Sequence, residues 1–491
     1  MNLCVVAFVW FLPWTASFTL LTPDTATRRH APLLTFYNDF EDFSSVGDDD
    51  SDDSTKDLYA SLRQRQTVLD ASRKDTVSAW KSAPTAIEAI PIADDWIRRV
   101  ALDTTTTRSA SSSSINTVVA GGASGSLYLL DLTTGELLGK SLMVHESRGD
   151  DDDQQVLSSL YGNYDGGGVV AIARCGNLVA SAGREGGVHV SYVIADSSSD
   201  VFTTTDDNRL VTLGKISGLS SFCTSLVFDS VNRVLWVGSF HEKKIRGYQV
   251  TKEMMMDTPK ASLSGAVDVE NAKVHLPLLH EIQVPSGVLS ISVQPEIGCG
   301  VAATSDSGGI VLFSLQNATS LATWNPFAAG SDESARSAVL VQNDEAPRPS
   351  WSVVVGGTKG SIHQREISID PATNSISRAE PWNPLRPPHQ VAEGLRHDGP
   401  VVCLASPGPQ VFLSGAQDGT ICVWNCSYKM KSMEEEGDDS STFSKPTPLF
   451  ALGGYKVWLG SLVILDDNLL ITDGADNVVM KHTFNKQGGA P

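Results

Sequence analysis

From about Trp96 to Phe484 the chain repeats one pattern: an apolar strand, a strand rich in small residues, a glycine or polar turn, then a β-branched or aromatic strand. Asn177 to Val193 reads NLVASAGREGGVHVSYV, Gly298 to Leu315 reads GCGVAATSDSGGIVLFSL, and Gln410 to Asn425 reads QVFLSGAQDGTICVWN. Asn116 to Leu130, Arg233 to Val250, Ser350 to Ile367 and Asn468 to Phe484 bring the copies to seven. A unit this short cannot bury its apolar face alone, so the copies must stack on one another.

The turns fall near Gly125, Gly187, Lys244, Gly309, Gly360, Gly419 and Asn477, about 50 to 65 residues apart. Compact four-stranded units repeat at roughly 40 to 45 residues. Polar insertions at 103–115, 148–164, 195–208, 251–272 and 427–446 account for the excess. After the turn apolar residues alternate, as in Leu127, Leu129 and Ile421, Val423, while Gly or Asn at the turn tolerates positive φ. Before it lie small residues, Ala180, Ser181, Ala182 and Ser414, Gly415, Ala416, which let strands of neighbouring sheets crowd toward a central axis. The expected fold is all-β: a seven-bladed β-propeller of four-stranded antiparallel blades, preceded by an N-terminal helix. The seventh copy ends at Phe484, so its outermost strand has to come from before the first copy. Ala86 to Ile92 and Trp96 to Leu102 compete for that place, the second being also a candidate first strand of blade one.

Residues 397 to 425, HDGPVVCLASPGPQVFLSGAQDGTICVWN, resemble a blade of the WD-repeat β-propeller family. His397 before Gly399 stands near the Gly-His position, Ser414 lies in the second strand, Asp418 in the tight turn, and Trp424 ends the third strand. The resemblance implies a structural network of these four side chains that fixes the blade's turns, and a scaffold for protein partners as the function. It covers about residues 85 to 485. The other copies keep the pattern without the residues: Leu130-Asp131 replaces Trp-Asp in the first, and the fourth has Ser314-Leu315.

Residues 3 to 14 form an apolar run broken by proline, too short to span a bilayer comfortably, and read as the core of a signal peptide over residues 1–17. Ala16-Ser17-Phe18, followed by Arg28, Arg29 and His30, resembles the bipartite presequences of algae with secondary plastids, in which an aromatic residue follows the cleavage site. The expected location is the plastid by way of the secretory route, with secretion as the alternative. In the secretory route Asn317-Ala318-Thr319 and Asn425-Cys426-Ser427 would be acceptors for glycan. Residues 18–55 read as a transit-like and acidic linker, and 56–82 as a helix whose Leu58, Leu62, Leu69 and Trp80 would pack on the following domain or on a partner. Residues 85–485 form the propeller and 486–491 a tail.

The formal net charge is -20. Most of it sits in three short runs, Asp48 to Asp53, Asp150 to Asp153 and Glu434 to Asp439, which read as solvated loops around a nearly neutral body. That balance argues against nucleic acid as a partner. Seven cysteines spread over the chain without a C-x-x-C pair read as buried reduced thiols.

No chemistry-bearing motif completes itself. His241-Glu242-Lys243-Lys244-Ile245 opens like H-E-x-x-H but lacks the second histidine, and the glycine clusters form no phosphate-binding fingerprint. The ten histidines are dispersed, and neither a nucleophile elbow nor a Cys/His pairing can be assembled by spacing. The expectation is therefore a non-catalytic protein–protein interaction scaffold with no catalytic, cofactor-binding or metal-ligating residues, monomeric within larger complexes, with protein partners and no stable membrane span after processing. Candidate partner-contact positions are Lys243, Lys244, Met254, Met255, Asp151 and Glu435. The alternative is a propeller enzyme or small-ligand binder using the mouth of the central channel.

Overall fold

The computed structural model describes most of residues 79–484, apart from segments 93–94, 104–116, 146–167, 195–208, 257–272, 344–349, 371–374, 386–396 and 427–446 and gaps of one to three residues. Seven antiparallel sheets follow one another along the chain, each running inner, second, third and outer strand. Blade one is Ile97–Leu102, Thr117–Gly122, Leu127–Asp131 and Leu137–Ser141. Blade two starts at Val169–Cys175, blade three at Cys223–Asp229, blade four at Val288–Gln294, blade five at Ala335–Asn343, blade six at Val401–Gly408 and blade seven at Leu462–Leu465. Each inner strand touches the next, and that of blade seven touches that of blade one, so the ring is closed.

Closure uses the earlier of the two candidate strands. Ala86–Pro91 pairs antiparallel with Val478–Thr483 as the outermost strand of blade seven, and Ile97–Leu102 begins blade one. Blades two and five each add a short fifth strand, Lys273–Val274 alongside Leu210–Ile216 and Asn383–Leu385 beside the start of Ile362–Asp370.

Sandwiching explains why the middle strands are apolar on both faces. Val188–Val193 and Ile310–Ser314 are buried at every position, because each blade is covered by its neighbours. The small residues do what radial packing requires. A Cβ added at Gly121, Gly238 or Gly356 would come within 2.6 Å, 2.5 Å and 2.6 Å of Val169, Val288 and Val401, the first inner-strand residues of the next blade. Six blades also carry a register shift at the same point, between the first and third residues of the inner strand, as at Ile97/Arg99 and Val401/Cys403. This shared bulge bends the inner strand where it meets its neighbour.

Polar bonds cross the seams at that bulge. Thr224 Oγ1 donates to the Val288 carbonyl at 2.5 Å, Ser337 Oγ to Val401 at 2.8 Å, and Arg99 Nε to Val170 at 2.6 Å. Ser461 Oγ accepts from Val100 N–H at 3.2 Å, linking blade seven to blade one. Of residues 56–82, expected to be a helix, nearly all lie outside the described residues. Trp80 is fully buried and packs among Val411, Leu413, Leu459 and Phe484 of blades six and seven. The three acidic runs and the presequence also lie outside the described residues.

Candidate functional site

In blade six the four side chains singled out in the sequence meet. His397 Nε2 lies 2.7 Å from Ser414 Oγ, which also accepts the Trp424 Nε1–H at 2.8 Å. Asp418 Oδ2 accepts the Asp398 N–H at 2.7 Å, and Oδ1 accepts Thr420 N–H at 2.9 Å and its hydroxyl at 2.6 Å. Thr420, which sequence reasoning did not single out, also lies 2.8 Å from His397 Nδ1. Burial works against the Asp418 charge, but the bonds from His397, Thr420 and the Asp398 N–H hold its carboxyl down at about 2.

Strand register locates the same stations in blades whose residues differ. Ser414 lies opposite Cys422, and Ser181 of blade two opposite His189. Ser181 Oγ sits 2.8 Å from His145 Nε2, whose Nδ1 lies 2.5 Å from Glu185 Oε1 on the turn. His145, Ser181 and Glu185 thus stand where His397, Ser414 and Asp418 do, and Ser191 takes the tryptophan's place. In blade seven the sequence offsets are those of blade six, with Tyr455, Thr472 and His482 at the stations of His397, Ser414 and Trp424, and the Tyr455 hydroxyl lies 2.6 Å from His482 Nε2. Burial pushes the His482 imidazole down to about 4.

The turn glycines confirm the alignment. Gly125, Gly360 and Gly419 have φ of 82°, 87° and 74°, and a Cβ on each would collide with the carbonyl oxygen of His145, His397 and Tyr455 of the following blade, at 1.9, 2.2 and 2.5 Å. Glycine is required there for both backbone conformation and space.

Blades one and five fix the same turn from the opposite side. Asp95, just before the inner strand, accepts Ser124 N–H at 3.0 Å, Ser124 Oγ–H at 2.5 Å and Tyr128 O–H at 2.8 Å. Glu333 of blade five accepts the N–H groups of Lys359 and Ser361 at 3.1 and 3.2 Å and the Ser361 hydroxyl at 2.6 Å. Four blades therefore anchor this turn with a carboxylate, on the turn in blades two and six and on the preceding segment in blades one and five.

Blade seven departs from the others at the seam with blade one. Where Gly121, Gly238, Gly356 and Gly415 stand, one residue beyond the serine station, it carries Asp473. Asp473 is fully buried, accepts the N–H groups of Gly460 and Ser461 at 3.0 and 3.1 Å, and has Arg99 as its nearby charge. Burial outweighs that charge and pushes the carboxyl up to about 7.

The expected partner-contact positions divide. Lys243 is exposed at the blade-three turn with φ 54°, so the left-handed turn residue is Lys243, one before the position expected. Lys244 is tied to Glu281 at 2.7 Å, and Arg246 bonds both Glu281 and Glu242, so this cluster is internally neutralised. Of the two methionines named as candidate partner contacts, Met255 is buried against blades two and three, while Met254 is half-buried and its carbonyl accepts the Tyr192 hydroxyl. The short helix Lys252–Met256 packs inward because Tyr192 and Asn177 bond its backbone. Asp151 and Glu435 lie outside the described residues.

Among the described residues, the histidines that are scattered in sequence converge once. His145, Glu185 and His189 bring their ligand atoms within 4.8 Å of one another. His241 is exposed beside the rings of Phe222 and Phe240, and its neighbour Glu242 pairs with Arg246.

No protein-family model matches the sequence, and comparison with curated proteins gives no match. Among solved structures the chain is similar to that of U3-55K, at 14% identity and a TM-score of 0.46, with 82% of this chain and 100% of that one covered. It is also similar to the computationally designed Ika8 protein, at 16% identity and a TM-score of 0.43, with 81% and 100% covered. The seven-bladed architecture rests on the strand pairings themselves.

Proposed function

We propose that the protein is a non-catalytic interaction scaffold on a WD-repeat-like propeller that holds protein partners at its perimeter. The observation that carries this reading is where large aliphatic side chains reach solvent. Ile87, Leu137, Leu278 and Leu279 are 54%, 53%, 51% and 45% exposed on outermost strands of blades seven, one and three, while Val231, 56% exposed, lies instead in the turn between the first two strands of blade three. Leu142, just past the outer strand of blade one, is 66% exposed. Outer strands with solvent-facing aliphatics offer both apolar surface and unpaired backbone to a partner.

The buried polar groups support the same reading. The blade-six network, the carboxylate-anchored turns and Arg99 are bonded within the fold, where they set turns and seams. The test is cross-linking of the full chain in its native extract, followed by reciprocal capture from the partner's side. Leu137→Glu with Leu142→Glu should remove the cross-links to the rim of blade one and leave the unfolding free energy within about 0.5 kcal/mol of wild type. Cross-links that ignore these substitutions, or a partner that does not recover this chain, would defeat the rim as the docking surface.

We further propose delivery to the plastid through the secretory route. Cys403 and Cys426 are free thiols, which suits a chain maturing away from an oxidising compartment. Asn317 is exposed in a turn and would be open to glycosylation, whereas Asn425 ends a core strand next to buried Cys426. Sequencing of the mature amino terminus decides between the routes. A start near residues 35 to 56 without glycan on Asn317 supports the plastid; a start at Phe18 with glycan there overturns it.

A further inference from the structure

Blade two holds a variant of the turn network that is open where the blade-six network is closed. Asp418 has both oxygens satisfied by Asp398, Thr420 and His397. Among the described residues, Glu185 has one oxygen on His145 while its Oε2 is buried without a hydrogen-bond partner. Opposite Ser181, where blade six has Cys422, stands His189, whose Nδ1 is likewise buried without a partner and whose Nε2 lies 3.6 Å from Glu185 Oε1. Its side chain is 10% exposed and that of His145 is not exposed at all, with the two rings 4.8 Å apart in a T-shaped arrangement. Two buried polar atoms without partners, Glu185 Oε2 and His189 Nδ1, therefore belong to side chains that converge with a second histidine already touching the same carboxylate. Buried polar atoms are rarely left so.

We propose that His145, Glu185 and His189 form a binding site for a divalent transition-metal ion of the zinc type, with a fourth position for water or a partner's ligand. Two imidazoles and one carboxylate are a recognised zinc donor set, and tetrahedral bonds of about 2.0 to 2.2 Å place ligand atoms about 3.3 Å apart. The ligand atoms of the three residues lie within 4.8 Å of one another, with His145 Nδ1 2.5 Å and His189 Nε2 3.6 Å from Glu185 Oε1, so reaching that spacing requires the His145–Glu185 contact to open by an outward shift of the carboxylate and the rings to adjust around the ion. Glu185 is placed to make that shift, because it is followed by Gly186 and Gly187, both in the left-handed region at φ 76° and 90°. His145 would keep its Nε2 bond to Ser181 Oγ while Nδ1 turns from Glu185 to the ion, the outer-shell bond that orients a metal-binding imidazole. Lys215, opposite His189 on the next strand with its side chain over Gly187, is the one nearby cation among the described residues and sets a limit on affinity.

The experiment uses tag-free full chain, stripped with chelator and titrated with Zn²⁺ by calorimetry and with Co²⁺ by absorption. The wild type should take up one equivalent of zinc with a Kd of about 1 µM or tighter and give the intense visible bands of a four-coordinate cobalt ion. His189→Gln leaves the His145–Ser181–Glu185 bonds in place, and Glu185→Gln changes only a turn carboxylate. Each should weaken zinc binding by at least about tenfold. The acidic runs at 48–53, 150–153 and 434–439 are present in all three proteins and cancel from the comparison. Absence of saturable binding by the wild type, or affinity unchanged in either variant, overturns the proposal.

Discussion

The indole of Trp80 lies against the ring of Phe484, with centroids 4.2 Å apart and planes inclined by 33°. One residue precedes Ala86–Pro91 and the other follows Val478–Thr483. Together with the pairing of Ala86–Pro91 to Val478–Thr483 they fasten both ends of the propeller to blade seven. Both side chains are fully buried, so Trp80→Ala should cost about 3 to 5 kcal/mol in denaturant unfolding. Truncation beyond Pro91 should do more, because it uncovers the Val478–Thr483 edge and favours self-association, visible by light scattering. A Trp80→Ala protein as stable as wild type would mean that closure rests on the strand pairing alone.

The fold was legible because period and small-residue placement survive substitution. Gly121, Gly238 and Gly356 make room for the next blade, the reason the sequence suggested for the small residues Ala180 to Ala182 and Ser414 to Ala416 at the same place in their strands. The networks were legible only in blade six, where Asp418 and Trp424 keep recognisable types. In blade seven the offsets from Tyr455 to Thr472 to His482 repeat those from His397 to Ser414 to Trp424, but every residue type has changed. In blade two a long insertion doubles the distance from His145 to Ser181, which are 36 residues apart against 17 in blade six. Blades one and five hide the anchor by moving the carboxylate to Asp95 and Glu333. Hydrogen bonding constrains where an acceptor sits in space, not which segment supplies it, so residue-type matching at fixed spacing could not find them.

Asp418→Ala leaves the N–H groups of Asp398 and Thr420 without their acceptor and should destabilise the protein by about 1 to 3 kcal/mol at neutral pH. The folded carboxyl is held at about 2 against an ordinary 3.8, so its contribution is complete above 3.8 and is lost as the pH falls through 2. Unfolding free energies of wild type and variant should therefore converge toward pH 2. A gap independent of pH would assign the effect to packing and not to the charge.

At the seam of blades three and four, Gly238→Ala drives a Cβ to within 2.5 Å of Val288 Cγ1. Overpacking of this kind costs about 1 to 3 kcal/mol. Val288→Ala removes the offending methyl and costs stability by itself, but the double variant should be more stable than the sum of the two losses by at least about 0.5 kcal/mol. Additive losses would show that the seam has room to relax and that glycine serves some other purpose there.

Asp473 at the closing seam should make the protein less stable as the medium becomes more alkaline. Its folded carboxyl is raised from 3.8 to about 7, so between those values the folded state holds a proton that the unfolded chain releases. Stability from this group is complete below 3.8 and declines as pH rises to about 7, with a slope of up to about 1.4 kcal/mol per pH unit. Asp473→Asn keeps an acceptor for the Gly460 and Ser461 N–H groups but cannot ionise. Subtracting the variant's unfolding free energy from that of wild type removes the other carboxylates, which act in the opposite direction. The difference should fall from pH 4.5 to about pH 7 and level off above it. A constant difference would mean that Arg99 keeps Asp473 ionised throughout and that the two close the ring as an ion pair.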